Sequence, residues 1–238
     1  MKPKLLLMTF VLSLTTIYAP AHSVKTSTTA EIAEQGNPAA EQELNVTLPK
    51  AGEMVNARPR GKGWLNLLNS LDQWNAEKDF WQLTDGMLHG EYTGGKSHHY
   101  AWTTRVYKDF ELNVILKMTG AGANSGVCIR LHPTDPDNAP GYQVDMGEGY
   151  WGSLWEERRA NMVQKYPDEL AKKLVKENDW NHYYVIAKGH HIQAWLNGVK
   201  TIDITHEAGF LDGAIGFQLC HGDKHTILDV KALYLREL

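Results

Sequence analysis

FELNVILKM, residues 110–118, sets Phe110, Leu112, Val114, Leu116 and Met118 against Glu111, Asn113, Ile115 and Lys117. A period of two sustained over that length predicts a β-strand with one buried face. The same alternation returns at 126–131, 142–146, 182–187, 191–196 and 214–220, and clusters of Gly, Pro, Asn and Asp separate the runs. Asn197-Gly198, directly after HIQAWL, predicts a two-residue hairpin, because both residues accept the positive φ such a turn requires. A single stretch, PDELAKKLVKEN at 167–178, predicts a helix: Pro167 and two acids open it, and Leu170, Leu174 and Val175 share one side. Many short strands, one helix and no βαβ rhythm predict an all-β fold of two packed antiparallel sheets.

Outward from that block, the N-terminus reads as a leader. Lys2 and Lys4 precede an apolar run from Leu5 to Leu14, and Ala19-Pro20-Ala21 closes it, the three-part pattern of a secretory signal peptide over residues 1–21. The run is too short for a comfortable membrane span. The expectation is a soluble, exported protein, periplasmic or extracellular. Residues 22–60 contain no Phe, Trp or Tyr and are rich in Ala, Glu, Thr, Gln and Pro, so they read as a flexible linker that buries too little apolar surface to fold. All eight tryptophans fall between Trp64 and Trp195, which puts the folded unit at 61–238, a length one β-sandwich can hold.

Loss of the leader removes two lysines, leaving 22 basic against 28 acidic residues, a net charge near −6. With no basic run in the chain, nucleic acid and anionic membrane are poor partners. A neutral or polar small ligand fits better.

Alternation also assigns faces. Val127, Ile129 and Leu131 turn to the core and release Cys128 and Arg130. Tyr142, Val144 and Met146 release Gln143 and Asp145, and Ile215, Phe217 and Leu219 release Gln218 and Cys220. If the three strands share a sheet, its outer face is a polar cleft.

In order along the chain, GW at 63–64, WQLTDGML at 81–88, YKDFEL at 107–112, NSGVCIR at 124–130, GYQVD at 141–145, WN at 180–181, NG at 197–198, GAIGFQ at 213–218 and LREL at 235–238 resemble the 3-keto-disaccharide hydrolase domain family. That resemblance implies a concanavalin-A-like jelly-roll sandwich. It also implies cleavage of glycosides oxidised to a ketone at carbon 3. Such a ketone acidifies the hydrogen on carbon 2, so a base can remove it and an enolate can expel the carbon-1 substituent. Two features depart from the family pattern: Gln143 then Asp145 stand where GYE followed by an amide is usual, and Gln-x-His becomes Gln218-Leu219-Cys220-His221, leaving open whether Cys220 or His221 faces the cleft.

This route needs a base, a partner for the enolate oxygen and an acid for the leaving group. Asp145 is the candidate base and Arg130 the candidate enolate partner; a cross-strand ion pair that only stiffens the sheet would use the same two residues. His221 joins them through the family motif. In the loop GEGYWGSLWEERR, 147–159, Trp151 or Trp155 offers a face for a sugar ring, and Glu156 or Arg158 an acid or an anchor. Gln143 and Gln218 offer amides to sugar hydroxyls. QVDMGE also resembles the E-x-D-x-x-E strand of retaining β-glucanases, but Gln143 occupies the nucleophile's place and an amide cannot form a glycosyl ester. The expected partner is therefore an oligosaccharide or glycoside, and the rival from another class is a non-catalytic carbohydrate-binding module.

Eleven histidines, among them His98-His99, His190-His191 and His221, carry no HExxH-type spacing. No cofactor is implied with certainty, and a divalent metal ion polarising the ketone stays open. In an exported protein Cys128 and Cys220 are compatible either with a disulfide or with two buried free thiols.

Overall fold

The computed structural model describes residues 59–238. The expected leader, and all but the last two residues of the expected linker, lie outside them. In chain order the strands are β1 (Leu65–Asn66), β2 (Trp74–Asn75), β3 (Trp81–Thr84), β4 (Met87–Tyr92), β5 (His99–Tyr107), β6 (Phe110–Thr119), β7 (Asn124–Leu131) and β8 (Gly141–Gly147). β9 (Leu154–Glu157) and β10 (Asn161–Gln164) precede the helix α1 (Asp168–Leu174). β11 (Asn181–Lys188), β12 (His191–Leu196), β13 (Val199–Thr205), β14 (Gly213–Leu219) and β15 (Thr226–Glu237) follow it.

One sheet runs β13-β12-β11-β6-β15-β4-β3, with β1 added beside β15, and the other runs β10-β9-β8-β7-β14-β5-β2. Every pairing is antiparallel. The core between the sheets takes Phe110, Leu112, Val114 and Leu116 from one side and Val127, Ile129, Tyr142, Val144, Met146, Ile215, Phe217 and Leu219 from the other. These are the residues the period of two turns inward. The hairpin also forms as its sequence demands: Leu196 pairs with Val199, and Asn197 and Gly198 hold φ of 50° and 88°, the left-handed pair that matches strand twist.

Two local expectations fail for identifiable reasons. The helix ends at Leu174 rather than 178, because Val175 turns extended and the Asn181 side chain takes both the N–H and the C=O of Lys176. Leu131 leaves the core: Arg130 adopts φ 53°, the β14 register slips between Ala214 and Gly216, and Leu131 packs instead with Tyr100, Cys128, Ala139 and Ala214 on the outer side. A bulge of this kind inserts one residue into the alternation and reverses every side chain beyond it.

Candidate functional site

β8, β7 and β14 are neighbours in one sheet, so the face opposite the core collects their released side chains. It forms a cleft of about 420 Å³. Asp145, Gln143 and Gln218 line it, as the alternation predicts, and so do His221, expected from the family motif, and Trp155 and Arg158, expected from the loop. Cys220 and His221 both reach it, which resolves the alternative left by the extra residue.

Asp145 lies on the cleft floor, 3 % exposed. Its main chain is fixed from both sides: its N–H donates to Ser153 O at 2.9 Å, and its carbonyl accepts from Gly152 N at 3.2 Å and from Tyr183 Oη at 2.9 Å. Gly152 makes this closure at φ 75°, where an added Cβ would also press on Thr201. The carboxyl receives two hydrogen bonds, from Gln143 Nε2 at 3.0 Å and Met146 N at 2.8 Å, both at Oδ1. That leaves Oδ2 for proton exchange. Burial outweighs those bonds and pushes the carboxyl up to about 7. Gln143 reaches across because Gly126, the residue opposite Asp145, has no side chain; a Cβ there would stand 2.0 Å from Gln143 Cγ.

The wall beyond the floor is aromatic and charged. β9 pairs Trp155 with Gln143, which puts Trp155 and Glu157 on the cleft face, and Trp155 Nε1 donates to Glu157 Oε2 at 3.2 Å. Tyr150 meets Trp155 edge-on at 6.3 Å between ring centres. Glu157 also pairs with Arg158, whose Nε is 3.4 Å from Oε1. Gln218 donates to the Tyr100 hydroxyl beneath it, and burial lifts that phenol well above its ordinary range.

Three expected site residues are placed elsewhere. Arg130 does not stand beside Asp145; the bulge sends it to the end of the sandwich, fully buried, where its guanidinium donates to Gly189 O, Phe210 O and Lys108 O at 2.7, 3.1 and 3.1 Å. Glu156 pairs with Tyr142 and so takes the face opposite the cleft, where it accepts from Arg159 Nε at 2.9 Å and Ala160 N at 3.2 Å. The carboxyl at the cleft is its neighbour Glu157. Trp151 stacks on Tyr183 against the main core, 6.4 Å between centres and 6° from parallel, and its neighbour Tyr150 takes the cleft position.

His98, named with the other histidines and set aside for want of a metal-site spacing, reaches the cleft, and its place just before β5 explains why: His99 turns inward to stack on Phe80 and pair with Glu77, which sends His98 to the opposite face. Burial, then the neighbouring His221, lower the His98 imidazole to about 4. His98, Cys220 and His221 each present a ligand atom, and the three atoms lie within 4.8 Å of one another. Other histidines are engaged with carboxylates, His191 with Asp203 and His225 with Glu91. Cys128 and Cys220 are both free thiols. Cys128 lies under Gln143, donating weakly to its Oε1, and burial pushes its thiol up. Among the described residues no helix is long and apolar enough to cross a membrane.

No curated protein matches the sequence at a significant level. Among solved structures, a provisionally named glycosyl hydrolase from Parabacteroides distasonis is 25% identical, with a TM-score of 0.55 over 74% of this chain and 99% of that one. The carbohydrate-binding module CBM66 from Bacillus subtilis (14% identical, TM-score 0.51, 74% and 96% covered) shares the fold. So does a Bacillus subtilis protein of unknown function with a galectin-like fold (12% identical, TM-score 0.55, 72% and 94% covered). The profile of one family matches residues 63–232, most of the chain, and by that match the protein belongs to the 3-keto-alpha-glucoside-1,2-lyase-like domain family.

Proposed function

We propose that the protein cleaves glycosides carrying a ketone at carbon 3, with Asp145 as the acid–base group. The observation that carries this reading is a carboxyl on the cleft floor, fixed at Oδ1 and raised to about 7, so that its proton affinity suits proton transfer near neutral pH. Family membership and the 25% identical glycosyl hydrolase neighbour support a carbohydrate substrate.

The steps follow from the groups present. Asp145 Oδ2 takes the proton from carbon 2, the electron pair of that C–H bond forms the enolate, and the enolate's collapse breaks the carbon-1 to oxygen bond. The departing alkoxide takes the proton from Asp145, which returns to carboxylate. A group near 7 is competent in both directions, so one residue serves as base and then as acid. Water then adds to carbon 1 of the unsaturated keto-sugar and carbon 2 regains a proton, giving net hydrolysis. With Arg130 absent from the cleft, the cations left to face the developing enolate are Lys96, Arg158 and Lys224. Trp155 and Tyr150 supply faces for the sugar, and Gln143 and Gln218 supply amides for its hydroxyls. The place of action is proposed to be outside the cytoplasm, on the strength of the leader pattern.

The test is release of free sugar from 3-keto-trehalose and from trehalose, in heavy water, by wild type and Asp145→Asn. The reading expects cleavage of the keto-sugar alone, deuterium at carbon 2 of the product above the level in the variant, and loss of both in the variant. Binding without cleavage of either sugar would make the domain a lectin-like module. Cleavage of plain trehalose would make it an ordinary glycosidase.

A further inference from the structure

The elimination chemistry uses Asp145 but leaves unexplained why two imidazoles and a thiol converge at the same cleft. His98 and Cys220 are buried, and His221 is at the surface with access to the opening. The His98 and His221 rings meet edge to face, 4.2 Å apart between centres. Cys220 Sγ is 3.7 Å from His221 Nδ1. The lone pair of His98 Nδ1 already points at this segment, where it accepts the His221 backbone N–H at 3.3 Å.

We propose that His98, Cys220 and His221 bind a borderline-soft divalent cation, of which zinc is the best match. The donor set favours it on chemical grounds. Thiolate and imidazole suit zinc rather than magnesium or calcium, which demand oxygen ligands. Two histidines and one cysteine form a three-ligand set that leaves a fourth position open, the pattern of a catalytic rather than a structural zinc site. The distances are close to what such a site needs: bonds of about 2.0–2.3 Å in a tetrahedron put ligand atoms about 3.5 Å apart, so a set within 4.8 Å closes by about 1 Å through side-chain rotation. The coordinating atoms are His98 Nδ1, exchanging its weak backbone bond for the metal, Cys220 Sγ and His221 Nδ1. His98 Nδ1 already acts as an acceptor and so offers a lone pair, while Cys220 must release its proton as the cation arrives. Asp137 Oδ1, which accepts the His98 backbone N–H, fixes the segment that carries the first ligand.

Metal binding stands apart from the elimination reading, and only a use of the cation against the substrate ketone rests on it. The experiment therefore reads binding directly. The purified, chelator-treated exported chain is titrated with Zn²⁺ by calorimetry and with Co²⁺ by absorption spectroscopy, beside Cys220→Ser and His221→Ala. The expected result is one Zn²⁺ per chain, a rise in Tm on binding, release of the Cys220 proton, and a thiolate-to-cobalt charge-transfer band with tetrahedral ligand-field bands. Cys220→Ser loses the charge-transfer band, and each variant weakens Zn²⁺ by about 100-fold or more, since even outer partners of a metal ligand are worth about 10–100-fold. His221 is exposed, so His221→Ala keeps the fold and reports on binding alone. Absence of stoichiometric Zn²⁺ in the wild type, or undiminished binding in His221→Ala with no charge-transfer band in the wild type, overturns the site. Cleavage of 3-keto-trehalose by the metal-free protein would leave Asp145 chemistry intact and confine the failure to the metal.

Discussion

Asp145→Asn tests the buried carboxyl without reference to any substrate. Asn keeps an oxygen to accept from Gln143 Nε2 and Met146 N and places an amide where Oδ2 was, so packing is preserved. What changes is the cost of a desolvated charge. Folding raises this group from 3.8 to about 7, so the folded state holds the proton more tightly than the unfolded chain. Below about pH 4 both states are protonated and the difference vanishes. As pH climbs from there to 7 the wild type loses stability, and above 7 the loss is constant. Each pH unit of that interval weighs about 1.4 kcal/mol, which sets the full penalty at about 4 kcal/mol. Urea unfolding at pH 8 should therefore find Asp145→Asn more stable than wild type by up to about 4 kcal/mol, and unfolding at pH 4 should find the two nearly equal. A variant equal to or weaker than wild type at pH 8 would mean that Asp145 is well solvated or charge-paired, and the case for it as a near-neutral base would fall with that result.

The same carboxyl sets the pH dependence of cleavage: kcat/KM on the keto-sugar should fall about tenfold per pH unit below about 7 and level off above it, and a flat profile from pH 5 to 8 would exclude Asp145 as the base. Arg130→Met should destabilise the fold by about 2–4 kcal/mol, because three loop carbonyls lose a buried donor, while leaving KM unchanged; thermal unfolding and kinetics together check it, and a large KM effect in a stable variant would return Arg130 to the cleft. Trp155→Ala should raise KM about tenfold, the loss of one stacking face, with Tm nearly unmoved. Trp151→Ala should do the reverse, since Trp151 packs on Tyr183 and does not line the cleft.

The fold was legible because each strand of the sandwich has one wet and one dry face, and a period of two is visible in a single sequence. Phe110 to Leu116, Tyr142 to Met146 and Ile215 to Leu219 needed no partner information to be turned correctly. The same parity placed Gln143, Asp145, Gln218 and Cys220 in one cleft once their strands proved to be neighbours. Parity fails wherever the count is broken, and the failures share that cause. Arg130 looked outward until a positive φ, which no residue type there announces, inserted a step into the alternation. Across the tight turn at 147–153 the count cannot be carried forward, so the loop offered Trp151 or Trp155 and Glu156 or Arg158; the second of each pair lines the cleft, and Tyr150 and Glu157, one residue from Trp151 and Glu156, stand there in place of the first. Only the pairing of Trp155 with Gln143 resets it, and that register is a tertiary fact. His98 was set aside with the other histidines for a different reason. Its neighbours in the cleft, Cys220 and His221, are more than a hundred residues away in sequence, and a ligand set assembled from strand ends has no spacing to read. Chemistry written along one strand can therefore be inferred from that strand, whereas chemistry assembled across strands becomes visible only when the sheet is closed.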